Sequence, residues 1–353
     1  MSILEVLFAI AVTTIGLLGA IAVFPVASAQ ARKGRISDAL AVAGMSAAHD
    51  FDVRGMRQPA NWVAFDDAGN IVHPLNDYLN YIKSGGGSGK NWFGDGGGFC
   101  LDPRYIAANS GELLLARTFP ASMTDGMPRI TLVGNITDLD PTNNFMGRAL
   151  AEAIFTFEDD LTFGRPDDRS QNAYQVMDTI NGTDFKRQSD GHMSWMATIV
   201  PLYDRNNVNF KDTYVLSIVV FYDRPIDQLS SAETTSRSEY GFTIGSGLAA
   251  FPSSGLTGGE VVLKGDEAQL NALKQNDWIM LVGAKPADMP PRPIAKWYRI
   301  VDAGEAAFSN GTDFDRHVTL FGQDWDPSLE TNAVYAEGVV GVFEKTIRLD
   351  LTP

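Results

Sequence analysis

The glycine-rich stretch from Ser84 to Gly98 has a composition that could form a phosphate-binding loop. It holds eight glycines, and glycine-rich backbones expose N–H groups that can bind a phosphate. A P-loop, however, needs glycine at position 84 and Ser or Thr at position 91, where this chain has Ser84 and Asn91. We therefore expect a surface loop here and not a nucleotide site.

The sequence likewise gives little support for a disulfide bond, a serine nucleophile or a zinc site. Cys100 is the single cysteine, so it cannot close a disulfide within the chain, and it is interpreted as a small buried apolar residue. No GxSxG nucleophile elbow is present. None of the four histidines belongs to an HExxH or CxxC frame, so no zinc site is expected at His49, His73, His192 or His317. These absences predict a protein that is not an enzyme.

Three groups of acidic residues could bind calcium, because loop carboxylates supply the oxygen ligands that this cation prefers. They lie at Asp138 and Asp140, at 158–160 and at 167–168. Their spacing does not match an EF-hand, so calcium stays an alternative to solvated acidic loops or helix caps, and no other cofactor is expected. Glycosylation is left open by three Asn-x-Thr sequons, at Asn135, Asn181 and Asn310.

Composition argues against one class of partner. The chain has 28 Lys and Arg against 43 Asp and Glu, which gives a formal net charge of −15. Such a surface repels a phosphate backbone, and no local basic stripe compensates, so nucleic acid is not an expected partner. The length of 353 residues suggests two globular units besides an N-terminal segment.

The N-terminal region predicts a membrane helix. No charged residue occurs between Val6 and Ala31, and a helix of this length spans about 39 Å, more than the roughly 30 Å of a hydrocarbon core. A cleavable secretory signal is the alternative, because Ala27-Ser28-Ala29 is similar to a signal cleavage site. The acidic start of the segment favours a retained helix.

Glu5 is the informative residue of this region, because a carboxylate in an apolar helix is costly in lipid and usually has a partner. The start Met1-Ser2-Ile3-Leu4-Glu5-Val6-Leu7 resembles the mature N-terminus of type IV pilins and type II secretion pseudopilins. In that family a hydrophobic first residue, a glutamate at the fifth place and an apolar helix follow the prepilin peptidase cut. The resemblance covers roughly residues 1–35.

The resemblance implies a route of assembly and a set of partners. Met1 would be the first residue of the processed chain, with a methylated amine, after removal of a short basic leader; Met1 as initiator is the open alternative. Prepilin peptidase and an assembly platform would act on the chain in the inner membrane, before the chain enters a filament at the cell surface. In the filament, the Glu5 carboxylate would pair with the Met1 ammonium of an adjacent subunit.

The helix is expected to continue past the membrane segment, over residues 1–58. Four apolar residues recur at steps of three to five between polar positions, a pattern close to the helical period that predicts one packed face at Ile36, Leu40, Met45 and Ala48.

A bend is expected in the membrane half of the helix. Pro25 has no backbone N–H, and Gly16 and Gly19 lie nearby. Three cations follow the membrane segment, and the positive-inside rule alone would leave the body in the cytoplasm, at Arg32, Lys33 and Arg35. The family resemblance places the body outside instead, and we follow it.

Beyond Pro59 the pattern changes to short β-rich runs bounded by turn residues. The candidate strands are 130–133, 194–200, 214–222, 260–263, 278–282, 297–301, 317–321 and 339–349. Two amphipathic stretches, 144–155 and 268–275, are candidate helices. The sequence therefore predicts an α+β chain with mostly antiparallel sheet.

Composition also suggests how the body is divided. Gly, Ser, Ala and Pro dominate residues 241–259, which we interpret as a linker. Residues 59–240 would form an antiparallel sheet against the protruding half of the long helix, and 260–353 a compact all-β barrel or sandwich. Residues 194–200 and 214–222 are also similar to large pilin-like proteins of planctomycetes.

These features together favour a structural subunit of a type IV pilus-like filament, which polymerises through its hydrophobic helix with copies of itself and with other pilins. A minor pilin or a pseudopilin of a type II secretion system is one alternative. A surface-displayed adhesin or binding protein is another, and exposed aromatic residues in the C-terminal unit would favour it, such as Trp297, Tyr298 or Trp325.

Overall fold

The structure is a computed structural model of the chain. It describes residues 3–65, 69–72, 98–121, 126–133, 145–157, 161–164, 175–180, 183–189, 193–202, 213–226, 238–250, 258–284, 293–310, 313–326 and 329–350.

The helices of these ranges are α1 (Ile3–Val53), α2 (Pro103–Ala108), α3 (Leu113–Ala116), α4 (Arg148–Phe155) and α5 (Glu267–Ala272), with a 3-10 turn at Pro59–Asn61. The strands are β1 (Trp62–Phe65), β2 (Ile71–Val72), β3 (Phe99–Leu101), β4 (Thr118–Phe119), β5 (Met127–Leu132), β6 (Leu161–Gly164), β7 (Gln175–Ile180), β8 (Thr183–Ser189), β9 (Met193–Pro201), β10 (Thr213–Tyr222), β11 (Glu239–Ala250), β12 (Gly259–Gly265), β13 (Trp278–Ala284), β14 (Pro293–Ala303), β15 (Ala307–Asn310), β16 (Asp313–Phe321), β17 (Glu330–Ala336) and β18 (Val339–Arg348).

Helix α1 is one helix of 51 residues. The helix is continuous through Pro25, although proline removes one hydrogen bond of the backbone ladder. Two residues after its end, Gly55 adopts a φ of 68°, the left-handed conformation that commonly stops a helix. The indole Nε1 of Trp62 then donates to the Met56 carbonyl at 2.9 Å, which fixes the chain as it turns back into β1.

The central sheet has the strand order β18-β10-β9-β3-β5-β1-β2, and β4 also pairs with β5. The neighbours are antiparallel, except that β3 and β5 are parallel. Its outermost strand on one side, β18, comes from the end of the chain and pairs with β10 from Thr213 to Phe221. The chain therefore leaves this sheet after β10 and returns to it only at β18.

The segment between β10 and β18 forms a closed six-stranded barrel. Its ring is β11-β12-β16-β14-β13-β17, which closes because β17 pairs with β11, while β15 extends β16 outside the ring. Large side chains fill the interior, among them Phe242, Leu281, Tyr298 and Leu320, each at most 1% exposed. The barrel interior is therefore a second hydrophobic core.

A small third sheet has the order β6-β8-β7. The β7–β8 pairing runs to Ile180 opposite Thr183. The two residues between them, Asn181 and Gly182, lie outside the described residues.

Strands β9 and β10 are buried on both faces. Alternate residues of β9, such as Trp195 and Ala197, point into the core that contains α1, while Met196 and Val200 point into a core shared with the barrel. This explains why the sequences of these two strands are almost continuously apolar. Helix, sheet and barrel therefore form three successive layers.

We call the contact between sheet and barrel the seam. On the sheet side it contains Met196, Val219 and Phe221, and on the barrel side Met280, Val282, Trp297 and Val334. The alternation of β13 places Ile279 and Leu281 inside the barrel and Met280 and Val282 on the seam. Across the seam, the Trp297 indole donates to the Thr198 hydroxyl at 3.1 Å.

The coarse expectation from the sequence is confirmed, since the chain combines an N-terminal apolar helix with β-rich units that include a closed barrel. Two details differ from the division of the chain that we expected from its composition. Residues 339–348, grouped by sequence with the C-terminal unit, pair instead with β10. Residues 241–250 of the expected linker belong to β11, which pairs with β12 and β17.

The C-terminal half of α1 packs on the sheet at two close approaches. A Cβ added to Gly44 would lie 2.3 Å from the Phe343 ring, and one added to Gly341 would lie 2.7 Å from Leu40. Both distances are far inside van der Waals contact, so any larger residue at these positions would have to displace the Phe343 or Leu40 side chain. The end of the chain, β18, therefore holds the helix on the sheet.

Gly44→Ala is expected to lower the free energy of unfolding by about 1–3 kcal/mol, because overlap with the Phe343 ring outweighs the gain in helix propensity. Gly34→Ala is the matched control, since nothing lies within 4 Å of the added Cβ, and we expect no loss there. Urea unfolding of the full chain in detergent, followed by tryptophan fluorescence, measures both. Equal effects of the two variants would show that Gly44 is not a contact point.

Candidate functional site

The membrane half of α1 is apolar and exposed. Residues Ile3–Ser28 form the helix that, among the described residues, is long and apolar enough to cross a membrane, and a signal sequence would show the same features. No described part of the body covers this segment, whose exposed side chains include Leu4, Phe8, Ile15, Leu18 and Phe24. The chain therefore presents a surface that needs lipid or another apolar partner.

Glu5 lies in the first turn of α1 and is exposed. At about 100° per residue, Ala9, Thr13 and Gly16 lie within about 80° of Glu5 around the helix. The Thr13 hydroxyl donates to the Ala9 carbonyl at 2.6 Å, so its polar group is satisfied within the helix. Phe8 and Val12 lie on the same side, so small residues share the Glu5 side of the helix with larger apolar ones, and Ala9 and Gly16 are the positions at which another helix could approach closely.

The half of α1 that packs on the sheet has a second exposed apolar surface. Ala43, Ala47 and Phe51 are buried against the sheet. On the opposite side of the helix lie Val42, Met45 and Val53, exposed by 60%, 68% and 67%, with the exposed His49 in the same row. We call Val42, Met45 and Val53 the head stripe.

The head stripe corrects one detail of the helical pattern. Leu40 and Ala48 pack against the core, as the spacing predicts, but Met45 lies on the opposite face. The cause is that a step of five residues, from Leu40 to Met45, rotates the position by about 140° away from the packed face. Sequence reasoning therefore placed Met45 on the wrong side, and it did not single out Val42 and Val53.

Ion pairs fix the end of α1. The Asp52 carboxylate accepts from Arg57 Nε at 2.7 Å and from Lys345 Nζ at 3.0 Å. Burial alone would raise the pKa of Asp52, but hydrogen bonds from Lys345 and Arg57 outweigh it and hold the pKa below its usual value. Because these side chains are about a third exposed or more, the pairs contribute little stability and mainly set the orientation of the helix end.

A buried group of charges lies beside the seam. Asp102, Arg129, Arg224 and Glu239, which we call the seam cluster, are all at most 7% exposed. Asp102 also caps α2, because its carboxylate accepts from the Tyr105 N–H at 3.3 Å. The two positive and two negative charges balance, which makes their burial tolerable.

The seam cluster does not have the properties of a catalytic site. Burial alone would raise the pKa of Asp102, but the Arg224 and Arg129 guanidiniums outweigh it and hold the pKa below the usual value, so the carboxylate stays ionised. A depressed carboxyl pKa stabilises the fold above the unfolded-state value of about 4 and loses this effect as pH falls through the folded-state value. The carboxylates of Asp102 and Glu239 each accept from both arginines, so their oxygens are used in structural contacts.

The other residues singled out by sequence are dispersed or lie outside the described residues. His49 and His317 are exposed, Cys100 is fully buried, and His73 and His192 lie outside the described residues. Nearly all of the glycine-rich stretch and all three acidic groups also lie outside. Within the described ranges, no group of three or more His, Cys, Asp and Glu side chains could hold a metal ion.

The aromatic residues that would favour a binding surface are buried. Trp297 lies on the seam, and Tyr298 and Trp325 belong to the barrel core. Trp325 Nε1 also donates to the Thr331 hydroxyl at 2.9 Å, so its polar group is used inside the barrel. These three residues therefore offer no exposed aromatic platform.

Comparison with known proteins adds no family. Neither a protein-family model nor a curated protein matches this chain. Met1, the residue at which the pilin resemblance places processing, lies outside the described residues, whereas Glu5, Gly16, Gly19 and Pro25 all lie within α1.

Proposed function

We propose that this chain is a structural subunit of a type IV pilus-like filament that assembles through α1. The observation that carries the proposal is the exposed apolar surface along both halves of this helix. Its membrane half would hold the subunit in the inner membrane before assembly and would enter the filament afterwards. The resemblance of the residues around Glu5 to pilins and pseudopilins supports the same reading.

The head stripe favours assembly over simple membrane tethering. A tether needs apolar surface only where it crosses the lipid, within Ile3–Ser28. Met45 lies 17 residues beyond Ser28, which is about 25 Å further along a helix, yet it is exposed. An apolar stripe at this distance is accounted for by a protein partner that lies along the helix.

The Glu5 side of α1 supplies the contact that selects the register. Apolar contacts between helices are gained at many relative positions, whereas a buried carboxylate is tolerated only when it is paired. We propose that Glu5 pairs with the N-terminal ammonium of Met1 in an adjacent subunit. The small residues Ala9 and Gly16 on the same side permit the close approach that this pairing requires.

The three layers then determine what the filament exposes. Helix α1 and the barrel cover opposite faces of the central sheet. With α1 in the filament interior, the barrel is the outermost layer of each subunit. The same arrangement would serve a minor pilin or a secretion pseudopilin, in which few copies rather than many carry the barrel.

Met45→Lys is expected to reduce filament yield at least tenfold while leaving the subunit in the membrane, because a charge on the head stripe must be desolvated when the helices pack. Leu114→Lys is the matched control, since Leu114 is 51% exposed and belongs to α3 and not to α1. This substitution should leave the filament yield unchanged. Sheared surface filaments and membrane-held subunit are quantified by immunoblot. Equal yields from Met45→Lys and wild type would show that the head stripe is not an assembly surface.

Glu5→Ala is expected to abolish filaments although the subunit accumulates in the membrane, because the apolar surface remains and the register-setting charge is lost. Glu5→Gln keeps the shape and removes only the charge, so we expect the same loss. Filament counts by negative-stain microscopy, beside immunoblots of the membrane fraction, measure both variants. Normal filaments from both variants would contradict the pairing with Met1.

A further inference from the structure

We infer that the seam cluster fixes the barrel on the central sheet in one orientation, so that the barrel is a rigid layer of the subunit and not a flexible appendage. We call the central sheet with the helices and loops that join its strands the sheet unit. Asp102, Arg129 and Arg224 belong to it, whereas Glu239, the first residue of β11, belongs to the barrel. The inference concerns the body alone and goes beyond the proposed assembly through α1.

Both carboxylates bind both arginines. Arg129 donates to Asp102 and to Glu239, each at 2.6 Å, through different nitrogens of its guanidinium. Arg224 donates to Asp102 at 2.6 and 3.0 Å and to Glu239 at 3.2 Å. Planar guanidiniums form such paired contacts in only a narrow range of orientations, so the position of Glu239 is closely defined.

The surroundings restrict the cluster further. The Arg129 guanidinium stacks over the Tyr105 ring at 3.8 Å, and Arg224 lies over Phe221 at 4.3 Å. The Glu239 carboxylate also accepts from the Ala121 N–H at 3.0 Å. Apolar contacts across the seam can be made at several relative positions, but these directional bonds are made at one.

Removal of Glu239 would leave an unbalanced charge. The sheet unit would then hold two buried arginines against the single carboxylate of Asp102. The loss of one member of a buried ion cluster is strongly destabilising because the remaining charge is not compensated. Opening of the seam lets water solvate the uncompensated arginine and so lowers this free-energy cost. A protein with Glu239 replaced should therefore open at the seam before it unfolds elsewhere.

Cys100 is a natural reporter of the seam. It is the single cysteine of the chain, it is fully buried, and it belongs to the core shared by sheet and barrel. Its sulfur lies 3.8 Å from the Met196 sulfur, and burial raises the pKa of the thiol, so it does not react while the seam is closed. Thiol labelling of the native protein therefore measures seam opening.

The test compares two buried carboxylates that each bind arginine, one in the seam cluster and one in a simple pair. Glu239→Gln weakens contacts across the seam, whereas Glu152→Gln breaks the pair of Glu152 with Arg104 at 2.7 Å, which lies wholly within the sheet unit. For the full chain in detergent at pH 7.5, we expect Glu239→Gln to speed labelling of Cys100 by 5,5′-dithiobis(2-nitrobenzoate) on the order of 100-fold. Glu152→Gln should speed labelling only as far as it lowers global stability.

Global unfolding is measured separately, by urea titration of each variant with tryptophan fluorescence. If the labelling rates of both variants follow their unfolding free energies on one line, Cys100 is exposed only by global unfolding and the inference is overturned. The double variant Glu239→Gln/Arg224→Met restores charge balance inside the sheet unit without a charged contact across the seam. Labelling that stays well above the wild-type rate supports the fixing role, because the directional contacts are then missing without any charge penalty. A return to the wild-type rate would mean that the charge imbalance alone opened the seam, and contradicts it.

Discussion

The burial of strands β9 and β10 on both faces is the constraint on which the rest of the structure depends. Two strands that are apolar on both faces are not stable at the protein surface, because each face must be removed from water. Helix α1 covers one face and the barrel covers the other. The long helix and the barrel are therefore required by the same pair of strands, although they lie at distant parts of the sequence.

This constraint separates the two surfaces of the subunit. The side of the helix that faces away from the sheet carries the head stripe, and the same helix contains the membrane segment. We propose these two surfaces for assembly. The described strands of the barrel lie on the other side of the sheet, and the barrel interior is filled by side chains. Under the proposed function, variation on the outer surface of the barrel would change what a filament displays without affecting how it assembles.

Much of the fold was predictable from local pattern, because local pattern sets secondary structure. All eight candidate strands overlap described strands, and the continuous apolar character of 194–200 and 214–222 reflects their two-sided burial. The return of β18 to the first sheet was not predictable, since pairing with β10 depends on contacts across more than 100 residues of sequence. The seam cluster was missed for the same reason. Asp102, Arg129 and Glu239 are ordinary charged residues in the sequence, and only the tertiary fold brings them together.

The candidate site was predictable from the sequence only in the long uncharged segment of α1. An uncharged run with one glutamate marks the membrane half of α1 without any structure. The head stripe was not found, because Val42, Met45 and Val53 are common in amphipathic helices and only the packed structure shows which face is covered.

The central claim is that α1 lies in the interior of a filament with the barrel outermost. Cryo-electron microscopy of filaments sheared from cells that produce this chain tests it most directly, with mass spectrometry of the same filaments to show that the chain is present. The account predicts a map with α1 helices bundled around the axis, the head stripe in contact with a neighbouring helix, and the barrel at the largest radius. Filaments that contain the chain with α1 facing solvent, or with barrels at the axis, would contradict it.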